Sequence, residues 1–138
     1  MALIPKNFKY KKYKKGRLSK SLNKKKHIVF GHLALKAKEP ARLTYKQLEA
    51  ARKFIKKKIK PFGGIIKRKV NLSVKITSKP VATRMGRGKG RVDSHICLVK
   101  AGQPIYEIYC LNLYEAKKAA LKSIHKLPIG IKLDVKNV

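Results

Sequence analysis

The sequence predicts an α+β fold, in which strands and helices are mixed without a regular β-α-β alternation. Two stretches, residues 44–60 and 112–127, repeat apolar residues at helical spacing, and several shorter stretches have the alternation or β-branched content of strands. A length of 138 residues is that of one domain, and a hydrophobic content of 43% is enough for one core.

The chain divides into a basic tail, residues 1–26, and a single folded domain, residues 27–138. The tail holds eleven Lys or Arg and no Asp or Glu. It has too little apolar surface to offset the entropy of ordering, so in isolation it should be disordered. Aromatic residues lie among its cations, as between Phe8 and Arg17. Because rings can stack on unpaired bases while cations hold phosphates, the pattern favours a tail that orders on RNA over a solvated run of charge.

The domain is expected to begin with strand structure and a helix. The apolar run from Ile28 to Leu35 is typical of one or two β segments interrupted at Gly31. Thr44 and Gln47 fit a capping box, in which the hydroxyl accepts from a free amide of the first turn and the glutamine reaches back. The helix that follows has an apolar face and a largely basic remainder, and ends near residue 61.

Four further strands are expected, at residues 65–70, 74–76, 94–99 and 105–108. Residues 100–104 have the composition of a hairpin loop, so the strands on either side of it are expected to pair with each other in antiparallel fashion. A second helix should start after Asn112, a good N-cap, and stop at Pro128. Alternation over residues 131–135 indicates a last strand.

The charge balance decides the class of partner. Lys and Arg number 37 against 6 Asp and Glu, a formal net charge of +31. A compact chain with this charge repels itself unless an anion neutralises it, and a nucleic-acid backbone has the matching charge density. We expect no membrane partner, since no apolar run reaches the roughly 18 residues that a span needs and the start does not resemble a secretory signal.

The sequence offers few residues that could carry out enzymatic chemistry. The six carboxylates, in Glu39, Glu49, Asp93, Glu107, Glu115 and Asp134, form no close acidic pair on one element. Cys97 and Cys110 lack zinc-site spacing and are expected to be small core residues. The scattered histidines suggest no shared metal site, and no cofactor is expected. An RNA-modifying or nucleotide-using enzyme and a polycation that compacts DNA or coats a membrane are the competing functions.

The most informative stretch is a glycine-rich loop from Lys79 to Arg91. It is not a Walker loop, because Thr83 stands where the first glycine should be and Gly90 where a magnesium-binding Ser or Thr should be. Alternate glycines let a backbone adopt positive φ and approach another surface closely, and the cations between them can then reach phosphates.

These residues resemble a known family. Residues 83–90, Thr-Arg-Met-Gly-Arg-Gly-Lys-Gly, are similar to the Arg-Met-Gly-Lys-Gly-Lys-Gly signature of bacterial-type large-subunit ribosomal protein sixteen. Further blocks match in the same order over nearly the whole chain, and these are Pro5-Lys6, Lys15-Gly16-Arg17, Phe30-Gly31, Leu35-Lys36-Ala37, Leu43-Thr44, Gln47 to Arg52, Tyr106-Glu107 and His125 to Ile129.

The resemblance implies a two-layer α+β sandwich, with a mixed or antiparallel sheet, two helices, a hammerhead-like β elaboration and the basic N-terminal extension. It also implies a non-catalytic protein that binds large-subunit rRNA, touches neighbouring ribosomal proteins and supports the A-site tRNA near the peptidyl-transferase centre. The positions that match the family's RNA- and tRNA-binding segments are Lys6, Lys9, Lys11, Lys12, Lys14, Lys15, Arg17, Arg84, Gly86, Arg87, Gly88 and Lys89. A composition leaning to Lys, Ile and Asn favours an organelle-encoded mitochondrial protein, with a plastid or an AT-rich bacterium as alternatives.

Overall fold

The structure, a computed structural model, describes residues 8–18, 27–86 and 88–136. Within those ranges the chain forms seven strands and two α-helices, which confirms the α+β prediction. In chain order they are β1 Leu33–Ala37, β2 Ala41–Thr44, α1 Tyr45–Ile59, β3 Ile65–Arg68, β4 Val74–Ser78, β5 Arg91–Val99, β6 Pro104–Tyr109, α2 Leu113–Ile124 and β7 Ile131–Val135.

The strands of the described residues form two antiparallel sheets. One has four strands in the order β3-β6-β1-β7, and the other has three in the order β2-β5-β4. In the first sheet Leu33 of β1 faces Ile108 on one side and Val135 on the other. In the second, Leu43 of β2 faces Cys97 of β5.

The predicted hairpin between residues 94–99 and 105–108 is wrong. β5 pairs with β2 and β4, whereas β6 pairs with β1 and β3, so residues 100–103 carry the chain from one sheet to the other. The amide of Gly102 donates to the carbonyl of Ala37 at 2.7 Å, which fastens this turn to the end of β1. β6 is buried along almost its whole length and lies between β1 and β3 in the four-stranded sheet. Loop composition identified the turn but not the partners of the strands that it joins.

Both predicted helix caps are confirmed. Thr44 accepts from the amide of Gln47 while the Gln47 side chain accepts from the amide of Thr44, and Asn112 accepts from the amide of Glu115. The two helices pack against each other, and α1 also contacts β2, β3 and β5, so it spans both sheets. The helical spacing predicts Leu48, Ala51, either Phe54 or Ile55, and Ile59 as core side chains of α1, and the structure buries Leu48, Ala51, Ile55 and Ile59.

The two cysteines are free and buried, in agreement with their prediction as core residues. Burial raises the pKa of Cys97 to about 11, so its thiol stays protonated and inert at neutral pH. In the part of the chain that the structure describes, no cluster of three or more His, Cys, Asp or Glu could hold a metal ion. No described helix is both long and apolar enough to cross a membrane.

The residues that precede β1 contact β6. Of the one or two β segments predicted in the run from Ile28 to Leu35, the structure has one, β1, and Gly31 lies before it with φ +75°. A Cβ at Gly31 would lie 2.3 Å from the carbonyl oxygen of Ile108. Next to it, the fully buried Glu107 carboxylate accepts from the amides of Val29 and Phe30 at 3.2 and 3.1 Å, and from Lys69 Nζ at 3.0 Å. This junction fixes where the N-terminal segment enters the domain.

Candidate nucleic-acid interface

The glycine-rich loop connects β4 to β5 at one end of the three-stranded sheet. Gly86 and Gly88 have φ of +107° and +76°, and a Cβ at either would meet nothing within 4 Å. Gly90 differs, because a Cβ there would lie 2.2 Å from the carbonyl oxygen of Ser78. The first two glycines are therefore needed for backbone conformation, and Gly90 is needed for the close approach of the two strands.

The tip of the loop projects from the fold. Val81 is 99% exposed and Met85 is 97% exposed, and Arg84 between them is also exposed. Closer to the sheet, Lys79 Nζ donates to the carbonyl of Gly86 at 2.5 Å, which ties the tip back to the end of β4. The exposed side chains of Val81, Arg84 and Met85 thus lie on a loop whose backbone is held at its base.

The described part of the tail, residues 8–18, contacts this loop and the three-stranded sheet. Lys12 Nζ donates to the carbonyl of Lys89 at 2.6 Å, and Lys89 Nζ donates in return to the carbonyl of Tyr13. Arg42 of β2 donates to the carbonyl of Gly16 at 2.6 Å. Two strongly basic segments are thereby held side by side through contacts between cations and backbone carbonyls.

Aromatic contacts hold the beginning of the described tail segment. The Phe8 ring lies 5.4 Å from the His95 ring of β5, and Lys75 Nζ of β4 lies 4.1 Å from the centre of the Phe8 ring. Lys75 also donates to the carbonyl of Tyr10 at 3.4 Å. Burial lowers the pKa of His95, and the charge of Lys75 lowers it further, so the imidazole is neutral at pH 7.

The predicted binding residues fall into two groups. Lys12 and Lys89 bridge the tail and the loop. The other described cations are exposed, and these are Lys9, Lys11, Lys14, Lys15, Arg17 and Arg84. Lys6 and Arg87 lie outside the described residues.

Sequence reasoning missed Arg42 and Lys75, which hold the tail, and Lys79 and Arg91, which flank the loop. The alternation of Lys75 with apolar Val74 and Ile76 was the available signal, since it places the lysine on the polar face of β4.

In the described part of the interface, no cation of the tail or the loop forms an ion pair with a described carboxylate. Among the described residues the ion pairs lie elsewhere, at Lys36–Asp134, Arg52–Glu49, Lys69–Glu107 and Lys132–Asp134. None of these includes a cation of the described tail segment or loop. The positive potential there is left for an external anion.

Comparison with known proteins identifies the family of the chain. The family model described as "Ribosomal protein L16p/L10e" matches residues 5–134, a range that includes the loop and all but the first four residues of the tail. The chain belongs to this family. A curated L16p/L10e relative, "Large ribosomal subunit protein uL16m" of Marchantia polymorpha, is 38% identical over 130 residues, covering 94% of this chain and 96% of the relative.

Membership in the L16p/L10e family makes the chain a structural constituent of the large ribosomal subunit, associated with rRNA and other ribosomal proteins and acting in translation. The family is one of ribosomal structural proteins and not of enzymes. The uL16m relative is a mitochondrial protein, which supports the mitochondrial location expected from the composition.

Proposed function

We propose that the tail and the glycine-rich loop act as one RNA-binding surface, which holds large-subunit rRNA and supports the A-site tRNA near the peptidyl-transferase centre. The observation that carries this proposal is the mutual contact of Lys12 and Lys89 across the two segments. Because that contact uses backbone carbonyls as acceptors, it joins two basic segments without neutralising either.

The residues proposed to contact rRNA or tRNA are Lys6, Lys9, Lys11, Lys12, Lys14, Lys15, Arg17, Arg84, Gly86, Arg87, Gly88 and Lys89. In this division of the chain, residues 1–26 form the RNA-binding tail and residues 27–138 the domain that carries the loop. The exposed cations contact phosphates, while Gly86 and Gly88 give the loop backbone the shape that it needs against RNA. Lys12 and Lys89 keep two ammonium protons each beyond those used between the segments.

Binding to large-subunit RNA should weaken steeply with salt. Each phosphate neutralised releases counterions, so the logarithm of the binding constant should fall against the logarithm of salt concentration with a slope of several units. Filter binding or fluorescence anisotropy between about 50 and 200 mM salt measures this slope. A nearly flat response would rule out the electrostatic basis of the proposal.

Gly88→Val should impair function more than folding. The substitution places a β-branched residue at φ +76°, but its side chain would meet open space, so the exposed loop can change shape without disturbing the core. Large subunits reconstituted with the variant should bind aminoacyl-tRNA about tenfold more weakly, the loss that roughly 1.4 kcal/mol produces. Thermal unfolding of the free protein should remain near that of the wild type.

The matched control is Lys57→Ala on the exposed side of α1, which removes one charge outside the proposed surface. It should change tRNA binding by no more than about twofold. Wild-type tRNA binding by Gly88→Val subunits, or global unfolding of that variant, would contradict the assigned role of the loop.

A further inference from the structure

A cleft of about 200 Å³ lies between the tail and the base of the glycine-rich loop. Four of its lining residues are cations, none is a carboxylate, and three are glycines of the loop. The lining residues are Lys12, Lys79, Pro80, Thr83, Gly86, Gly88, Lys89, Gly90 and Arg91.

The cations of the cleft retain donors for a ligand. Lys12, Lys79 and Lys89 each donate to one backbone carbonyl, of Lys89, Gly86 and Tyr13 respectively, and an ammonium group has three protons. None of the four cations, Arg91 included, is in an ion pair with another described residue. The cleft therefore concentrates positive charge and unused donors in one concave site.

Two of these cations lie at the ends of the strands that the loop connects, away from its exposed tip. Arg91 begins β5 directly opposite Ser78, the last residue of β4, and Lys79 follows Ser78. The absence of a side chain at Gly90 allows the strands to close here. Lys79 and Arg91 are thus held at the base of the cleft, while Lys12 closes it from the tail.

We propose that this cleft is a binding site for a single phosphate group, with Lys79 and Arg91 as its fixed cations. The site rests on the proposed RNA-binding function and adds to it a defined position for one phosphate. A phosphate is favoured over a nucleobase because the lining offers cations and a hydroxyl, while Pro80 is its one larger apolar residue and no aromatic ring is present for stacking. The phosphate can belong to an internal RNA phosphodiester or be a free or terminal phosphate.

The test uses the full chain and a pair of charge-reversal variants, Lys79→Glu in the cleft and Lys57→Glu on α1. Both change the net charge equally, so a difference between them reports the site and not the overall field. Inorganic phosphate is titrated against chloride at matched ionic strength, and the amide signals of Gly88 and Gly90 are followed by NMR. We expect saturable shifts in the wild type and in Lys57→Glu, and at least about a tenfold loss of phosphate affinity in Lys79→Glu.

A second arm measures binding of an rRNA fragment with and without a 5′-terminal phosphate. An equal loss of affinity for both RNAs in Lys79→Glu assigns the cleft to an internal phosphodiester, and a loss confined to the phosphorylated RNA assigns it to a terminal phosphate. Absence of saturable shifts in the wild type, or equal behaviour of the two variants toward inorganic phosphate, would overturn the site. Failure of the wild type to bind either RNA would instead refute the proposed function. The titration would still show whether the cleft binds inorganic phosphate.

Discussion

Replacing Gly31 by Ala should lower the free energy of unfolding by about 3–5 kcal/mol, through backbone strain and overpacking together. The glycine has φ +75°, and an added Cβ would lie 2.3 Å from the Ile108 carbonyl oxygen and 2.8 Å from the Tyr109 nitrogen. Both atoms belong to the backbone of β6, so the clash cannot be relieved by turning a side chain. The adjacent hydrogen bond from the His32 amide to Ile108, at 3.1 Å, should weaken as the chain moves away.

Gly63→Ala is the matched control. Gly63 has φ +64°, but a Cβ there would meet nothing within 4 Å. Gly63→Ala should therefore lower the free energy of unfolding by only about 1 kcal/mol, the cost of an alanine in the left-handed region. Urea unfolding of the two variants measures the difference, and equal losses would show that the approach of residue 31 to β6 is looser than the structure indicates.

Glu107→Gln should cost about 2–4 kcal/mol of unfolding free energy, although it preserves the shape of the side chain. One carboxylate oxygen accepts from the Val29 amide, and the other accepts from the Phe30 amide and from Lys69. Whichever way a glutamine amide turns, its NH₂ group faces a donor. The variant should also speed hydrogen exchange at the amides of Val29 and Phe30, because their acceptor is weakened.

Asp134→Asn provides the comparison for Glu107→Gln. Asp134 pairs with Lys36 and, at 3.8 Å, with Lys132, but its side chain is 27% exposed, so water can replace its partners. We expect a loss of about 1 kcal/mol or less. If calorimetry gave the two variants similar losses of unfolding free energy, burial would not be the reason that Glu107 stabilises the fold more than Asp134 does.

Features encoded within a few residues of each other were predictable from the sequence. The capping box at Thr44 and Gln47, the cap at Asn112 and the apolar face of α1 each depend on local spacing, and each was found where predicted. The positive φ of Gly86 and Gly88 was likewise anticipated from the motif.

What the sequence did not predict depends on contacts between distant segments. Three such features involve segments that are far apart in sequence. They are the partners of β5 and β6, the burial of Glu107, and the close approach of Gly31 to β6, which leaves no room for a side chain. The same holds in the candidate site, where Arg42 of β2 contacts Gly16 and Lys75 of β4 contacts Tyr10, across 26 and 65 residues of sequence. Local patterns specify elements, whereas these contacts depend on how the elements are arranged.

The position of β1 between β6 and β7 has a consequence for the order of events during synthesis. β1 occupies residues 33–37, but its two neighbours in the sheet are residues 104–109 and 131–135. Pairings of such high sequence separation form slowly and only after both segments exist. The four-stranded sheet therefore cannot be completed until residues 131–135 have been made, whereas the basic segment that precedes β1 is synthesised about 100 residues earlier. The RNA-binding role proposed for the tail therefore does not require a completed domain.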